Sequence, residues 1–568
     1  MTLAPLAALA LAVAAAAPDP RLAVLDAMSR EGTRSMERLR IQGYEPPYFV
    51  SYAVKELRQD EVSGRYGAVY DDGTRLERKL YADVRVGGYA LDSSGRDELS
   101  MFMGSEGQTY FASRDAPIEN DPQALRNALW LLTDEKYKEA LAAYFKKKSK
   151  GVYRSDEGEG DRAPSFTREE PHRHIDPPGT FAFDRARWRA EVRRVTGLFR
   201  GHPEVFDSSM KVTAEKQVRW FTSSEGSALV GEEALFGLHV QAFARAVDGQ
   251  LLENSRDFYA RSESALPSPE RLEREVQNLI RELEALRTAP ALDPYTGPAI
   301  LAPEATGVLF HEAVGHRLEG ERQEDDKDGQ TFKGQVGKAI LPPFIGVVDD
   351  PTLAAVEGTA LNGFYRFDDQ GVPAQRAVLV EDGILRSYLL SRRPVKPFTR
   401  SNGHGRSQGA SPPVARMANL VVTSKVKVSM AELKRLLVEE AKRQGKPYGL
   451  VIQDITGGNT NTASYGYQAF KGTPRLVYRI DVATGREELV RGVEMVGTPL
   501  SSINKLLSTG DEVRVFNGFC GAESGYVPVS TVAPAVLIGE IELQRVARAH
   551  ERSPILPAPW SEAPVSSR

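Results

Sequence analysis

Phe310-His311-Glu312-Ala313-Val314-Gly315-His316 sets two histidines around a glutamate, in a 568-residue chain with eight histidines and one cysteine, Cys520. Zinc favours imidazole nitrogen and thiolate sulfur, and a catalytic site uses three protein ligands while leaving a fourth position for water. A glutamate beside the first histidine can deprotonate that water. The stretch points to a zinc hydrolase, with His311, His316 and Cys520 as candidate metal ligands and Glu312 as candidate base.

The residues before it, Pro303-Glu304-Ala305-Thr306, read as a helix start, because a proline in the first turn loses no hydrogen bond. Zincin helices carry their histidines four residues apart, about 40° around the axis; a five-residue spacing puts them about 140° apart on a regular helix. A regular helix could not aim both at one ion. Gly315 allows the helix to end early or to take one wide turn, and wide turns cluster at functional sites. The spacing therefore predicts irregular helical geometry from Ala313 to His316. Cys520, in Phe516-Asn517-Gly518-Phe519-Cys520-Gly521, reads as part of a glycine-flanked turn after a strand over Glu512 to Phe516. A single cysteine is more often a small buried hydrophobe; the flanking glycines and the missing third ligand favour the thiolate. Glu319 could serve as the third ligand instead, but reads better as the partner that holds a ligating histidine.

Composition sets the frame for this site. A chain of this length exceeds one ordinary core, so two substantial domains are expected. Hydrophobic content of 41% and charged content of 26% read as soluble and globular. A net charge of -4 gives no sign of a polyanion-binding surface, so no nucleic-acid partner is expected. Residues 1–17 resemble a secretory signal with a small-residue cleavage site, although no Lys or Arg precedes the apolar run. Export to an extracytoplasmic or periplasmic space is the expectation, with a cytoplasmic protein as the alternative. No later run reaches the roughly 18 apolar residues of a membrane span.

Along the chain, Ala23 to Leu39 reads as a helix and Tyr48 to Leu57 as a strand, followed by a hairpin that turns at Asp71-Asp72-Gly73. Pro122 to Lys148 reads as a helix whose terminal lysines suit the dipole. Ser155 to Pro178 reads as a loop, and its His172 and His174 as solvated residues rather than a metal site. Helices are expected over Asp184 to Phe199 and Ser268 to Thr288, with strands over Lys211 to Ala246 between them. The proline-rich Ala289 to Pro298 is the expected linker. This divides the chain into an N-terminal domain over 18–289 and a C-terminal domain over 299–545, with a disordered tail over 546–568. The second half reads as strands at Ile345–Val348, Ala377–Glu381, Leu385–Leu390, Asn419–Val422, Tyr448–Gln453, Leu476–Asp481 and Val536–Leu543, with one helix at Met430–Gln444. The fold class is α+β, a mixed α/β N-terminal domain followed by a β-rich C-terminal domain with the metal site.

At His311-Glu312-Ala313-Val314-Gly315-His316-Arg317-Leu318-Glu319-Gly320, and again at Asn517-Gly518-Phe519-Cys520-Gly521, the chain resembles the TldD/PmbA family of metallopeptidases. Pro413-Val414-Ala415-Arg416-Met417-Ala418-Asn419 and Gly457-Gly458 are similar to that family as well. The resemblance implies a zinc peptidase in which His311, His316 and Cys520 bind Zn²⁺ and Glu312 is the base. It also implies pairing around an enclosed cavity that admits unfolded or short peptides, as a homodimer or with a TldE-like subunit lacking the metal motif. The full metal set marks this chain as the catalytic type of subunit. Candidate oxyanion stabilisers are His404, Tyr465 and Tyr467, and Gly457 and Gly458 could let a substrate backbone approach or could form an ordinary tight turn. The alternative is a peptide-binding or scaffold subunit whose zinc is structural, closed by a fourth protein ligand such as Glu319.

Overall fold

A computed structural model describes residues 19–94, 112–153, 163–324, 329–460, 470–497 and 502–546, together with residue 556. The expected leader over 1–17 and most of the expected tail lie outside the described residues. The chain opens with α1 (Arg21–Arg38), then β1 (Pro47–Arg65) and β2 (Ala68–Val86). Tyr66 and Gly67 make the turn between these strands with φ of 44° and 76°. Left-handed backbone at both central residues is what a two-residue hairpin requires. Asp71-Asp72-Gly73 is therefore not the turn; it lies in β2 opposite Ser63, Val62 and Glu61. This register puts Val50, Tyr52, Val54, Leu80, Ala82 and Val84 in one core, where the period of two keeps them on one face.

The N-terminal half continues with α2 (Pro122–Tyr153), β3 (Arg173–Ile175), α3 (Arg185–Gly197), β4 (Val205–Ser223), β5 (Ala228–Arg245), β6 (Leu251–Ala260) and α4 (Pro269–Thr288). The short β3 falls in the stretch expected to be loop, where it pairs parallel to β5. The sheet runs β2-β1-β4-β5, with β3 and β6 both on β5. Helices α1 and α2 bury Val24, Met28, Leu129 and Leu132 against one end of it, and α3 and α4 bury Val192, Val195, Leu279 and Leu283 against the other. The opposite face carries Ala53, Phe221 and Leu229, which pack with Phe367 of the C-terminal half. Beside them the buried Lys55 ammonium lies 3.0 Å from Asp369 and donates to Ser407 O at 2.6 Å.

The C-terminal half begins at β7 (Tyr295–Leu301), inside the stretch expected to be linker. Backbone pairing explains this: β7 lies antiparallel to residues 536–543 and parallel to residues 450–452. Then follow α5 (Pro303–Phe310), β8 (Ile345–Asp349), β9 (Ala377–Glu381), β10 (Asn419–Ser424), α6 (Met430–Arg443), β11 (Tyr448–Thr460), β12 (Phe470–Asp481), β13 (Val493–Gly497), β14 (Leu506–Ala522) and β15 (Gly525–Arg545). Strand β15 organises the domain. It pairs with β14, β7, β13 and β10, and the circuit β15-β13-β12-β11-β7 closes on itself, which leaves no free edge within that circuit.

Three further expectations change here. Of the stretch 385–390 only Leu385 is in a strand, the short Ile384–Leu385; Leu389 instead bridges to Glu319. Gly457 and Gly458 are not a tight turn but lie within β11, next to a register shift against β12. Cys520 and its glycines are also strand, in β14 opposite Val527 of β15. In the last two cases a local turn signal yields to cross-strand hydrogen bonding that the local sequence does not show. The fold is α+β, and no helix among the described residues is long and apolar enough to cross a membrane.

Candidate metal centre

Helix α5 is apolar on all sides, from Ala305 and Val308 to Leu309 and Phe310, so it is buried and its end has little freedom. Its continuation from His311 to Gly315 is a single π turn in which the His316 N–H donates to His311 O, five residues back. This is the irregular geometry that the histidine spacing demands. The shift frees the Glu312 carbonyl from its usual partner, and the Arg317 guanidinium takes it at 2.8 Å, with Ala313 O at 3.3 Å. A tighter 3-10 turn over His316–Leu318 ends the helix.

Gly315 has a second reason to be glycine. A Cβ there would lie 2.0 Å from the Met417 sulfur. Gly315→Ala is therefore expected to destabilise the protein by about 1–3 kcal/mol through overpacking, with much of the loss recovered in Gly315→Ala/Met417→Ala. Denaturant unfolding of the metal-free proteins measures both; an alanine variant as stable as wild type would refute the contact.

The π turn brings both rings to one side. His311 and His316 lie edge to face with centroids 5.0 Å apart. Cys520 Sγ, reaching from β14, is 3.2 Å from His311 Nε2 and 3.4 Å from His316 Nε2. His316 and Cys520 are buried, and His311 is half-buried. Among the described residues these three form the one group of candidate ligands, with all donor atoms within 4.8 Å of one another. A zinc with tetrahedral bonds of about 2.3 Å to sulfur and 2.0–2.1 Å to nitrogen would hold sulfur and nitrogen about 3.5 Å apart. The observed spacing fits.

The surroundings orient the ligands. His316 Nδ1 is 3.2 Å from Glu319 Oε1, so that Nε2 is the atom that faces Cys520. Glu319 Oε2 accepts from Arg322 Nε at 2.7 Å. Backbone bonds from Gly320 N to Leu389 O and from Leu389 N to Leu318 O, both 2.8 Å, pin the segment that carries Glu319. Burial by itself would push the Cys520 thiol up, but the facing His311 and His316 outweigh it and hold the thiol well below its usual range. Burial also opposes a charged His316, yet Glu319 and Cys520 raise it well above the usual imidazole value. Glu319 itself is held well below the usual carboxyl range: burial raises it, and His316 and Arg322 prevail. The site is built to keep a thiolate and a carboxylate charged. Glu312, 7% exposed, places Oε2 3.9 Å from His316 Nε2, beside the metal position.

The other sequence candidates are placed elsewhere. His404 is fully buried, with Nε2 3.2 Å from Asp349 and Nδ1 within 3.0 Å of Asn402, and its bonds help hold the loop rather than face the thiol. Gly457 and Gly458 form β-ladder backbone as described above, while Tyr465 and Tyr467 lie outside the described residues. His174 bonds Asp176 at 2.9 Å and belongs to no candidate metal group among the described residues. Sequence reasoning passed over Arg317, Arg322 and Arg416, each of which contacts this site. A basic residue directly following His316 was the available signal for the first of them.

The chain is similar to known proteins. Residues 294–545 match the PmbA/TldA metallopeptidase C-terminal domain. A metalloprotease of Archaeoglobus fulgidus is 34% identical over 251 residues, 44% of this chain and 53% of that protein, so the match spans about half the relative's length. A metalloprotease of Methanothermobacter thermautotrophicus is 26% identical over 472 residues, 81% of this chain and 95% of that protein. The crystal structure of TldE from Thermococcus kodakarensis superposes with a TM-score of 0.61 at 15% identity, covering 92% of this chain and all of that one. At that identity the likeness concerns the fold.

Proposed function

We propose that the chain, whose residues 294–545 match the PmbA/TldA metallopeptidase C-terminal domain, is a zinc-dependent peptidase acting on short or unfolded peptides. The observation that carries this reading is the convergence of His311 Nε2, His316 Nε2 and Cys520 Sγ beside the Glu312 carboxylate. A bound zinc supplies Lewis acidity, polarising a peptide carbonyl and making water easier to deprotonate. Glu312 takes the proton from the attacking water and returns it to the leaving amine. The thiolate donates more charge than a carboxylate would, which tempers the Lewis acidity.

A purely structural zinc would call for a fourth protein ligand. Glu319, the alternative ligand considered from the sequence, has its oxygens engaged by His316 Nδ1 and Arg322, and the cluster among the described residues stops at three. A set of three protein ligands would suit a catalytic zinc better than a structural one. The proposed assembly is a dimer, either of two copies or with a TldE-type subunit.

The reading is tested by metal content and by cleavage of a quenched-fluorescent peptide library, with the chain alone and after mixing with a TldE-type subunit. One zinc per chain is expected, and activity should vanish with a chelator and return with Zn²⁺. A protein that takes up no zinc, or that cleaves equally well without it, would overturn the proposal.

A further inference from the structure

Resting on that reading, we propose that Arg416 is a positioning residue of the metal centre, tying the thiolate strand to the carboxylate that holds His316. Its side chain is fully buried. One guanidinium nitrogen donates to the carbonyl of Cys520 at 2.7 Å; the other donates to Ser524 Oγ at 2.8 Å and Gly525 O at 3.0 Å. These three acceptors span the β14–β15 turn just beyond Cys520. Its Nε, which has no hydrogen-bond partner of its own, lies 3.5 Å from Glu319 Oε1, the oxygen facing His316.

Arg416 thus touches both arms of the site, which come from positions far apart in the chain; Arg322 also reaches from Glu319 to this turn, but to the exposed Glu523 rather than to Cys520. The planar fork of a guanidinium can serve a carbonyl, a hydroxyl and a carboxylate in fixed directions; an ammonium cannot. Its charge also offsets the Glu319 carboxylate in a region closed to water, where an uncompensated ion is costly. The preceding Ala415 and following Met417 fix it from either side: the Ala415 N–H donates to Glu321 Oε1 at 3.3 Å, and Met417 abuts Gly315 of the π turn. Arg416 touches no ligand atom, so its effect passes through the aim of Cys520 and of His316.

The test uses the full chain, with Zn²⁺ affinity from competition with a chromophoric chelator and thermal unfolding of the metal-free protein. Arg416→Lys keeps the charge and loses the fork. It is expected to weaken Zn²⁺ binding by about 10–100-fold, the range typical of losing a group that orients a ligand. Glu319→Gln should weaken it similarly, and the double variant should be little weaker than either single one, because both break one chain of contacts. An affinity within twofold of wild type in folded Arg416→Lys, or losses that multiply in the double variant, would overturn the inference while leaving the peptidase reading intact. If Arg416→Lys does not fold, Ser524→Ala decides, since it removes one acceptor of the guanidinium and no contact to a ligand atom. A severalfold loss of affinity supports the inference; an unchanged affinity overturns it. Wild-type protein that binds no Zn²⁺ would overturn the peptidase reading and this inference with it.

Discussion

Glu312→Gln is expected to keep its zinc and to cleave peptides about 10²–10⁴-fold more slowly, the usual contribution of a positioned general base. Glutamine matches glutamate in shape, so the packing of a side chain only 7% exposed should survive. What it removes is the ability to accept a proton from water. Because Glu312 lies beside the ligands without being one of the converging donors, zinc affinity should change little. The loss should fall on kcat more than on KM, since the base acts in the transition state. A variant that keeps zinc and cleaves as fast as wild type would show that another group moves the proton.

Cys520→Ser is the second large effect, and it separates metal binding from base chemistry. In the wild type the facing imidazoles hold the thiol well below its usual range, so the sulfur is ready as an anionic ligand. A serine hydroxyl stays neutral near pH 7 and sits on a shorter side chain, so both charge and reach are lost. The affinity for Zn²⁺ should fall by more than the roughly 10–100-fold seen when only a ligand's partner is removed, and activity should fall with it. The fold should persist, because Cys520 sits in a strand pair held along its length by backbone hydrogen bonds. Zinc occupancy that survives the substitution would remove Cys520 from the ligand set.

The two substitutions depend on different depths of inference. Glu312 was legible from its place beside His311, since local sequence places a base next to a ligand whatever the global fold. Cys520 was identified only because the chain has a single cysteine and the motif lacked a third ligand. The long-range pairing that delivers it, β14 along β15, could not be read from residues 516–521, whose glycines signal a turn but are drawn into a ladder. The same competition moved the first hairpin turn from Asp71-Asp72-Gly73 to Tyr66-Gly67 and extended β11 through Gly457 and Gly458. Helices fared better. Arg21–Arg38, Pro269–Thr288 and Met430–Arg443 carry apolar stripes at helical spacing, and the last two have a serine cap, signals that lie within a few residues.

By itself the sequence determined the helices, the general division into a mixed half and a β-rich half, and the need for a distorted turn, because five-residue histidine spacing is incompatible with a shared ion on a regular helix. Only the tertiary structure decided how that distortion is sustained: Arg317 caps the carbonyl it frees, Met417 fills the space that Gly315 leaves, and Glu319 and Arg416 set the direction of His316 and Cys520. Helix periodicity is a local property of the chain, whereas these partners are brought to the site by strand pairing and buried charge, which become visible only once the strands are in register.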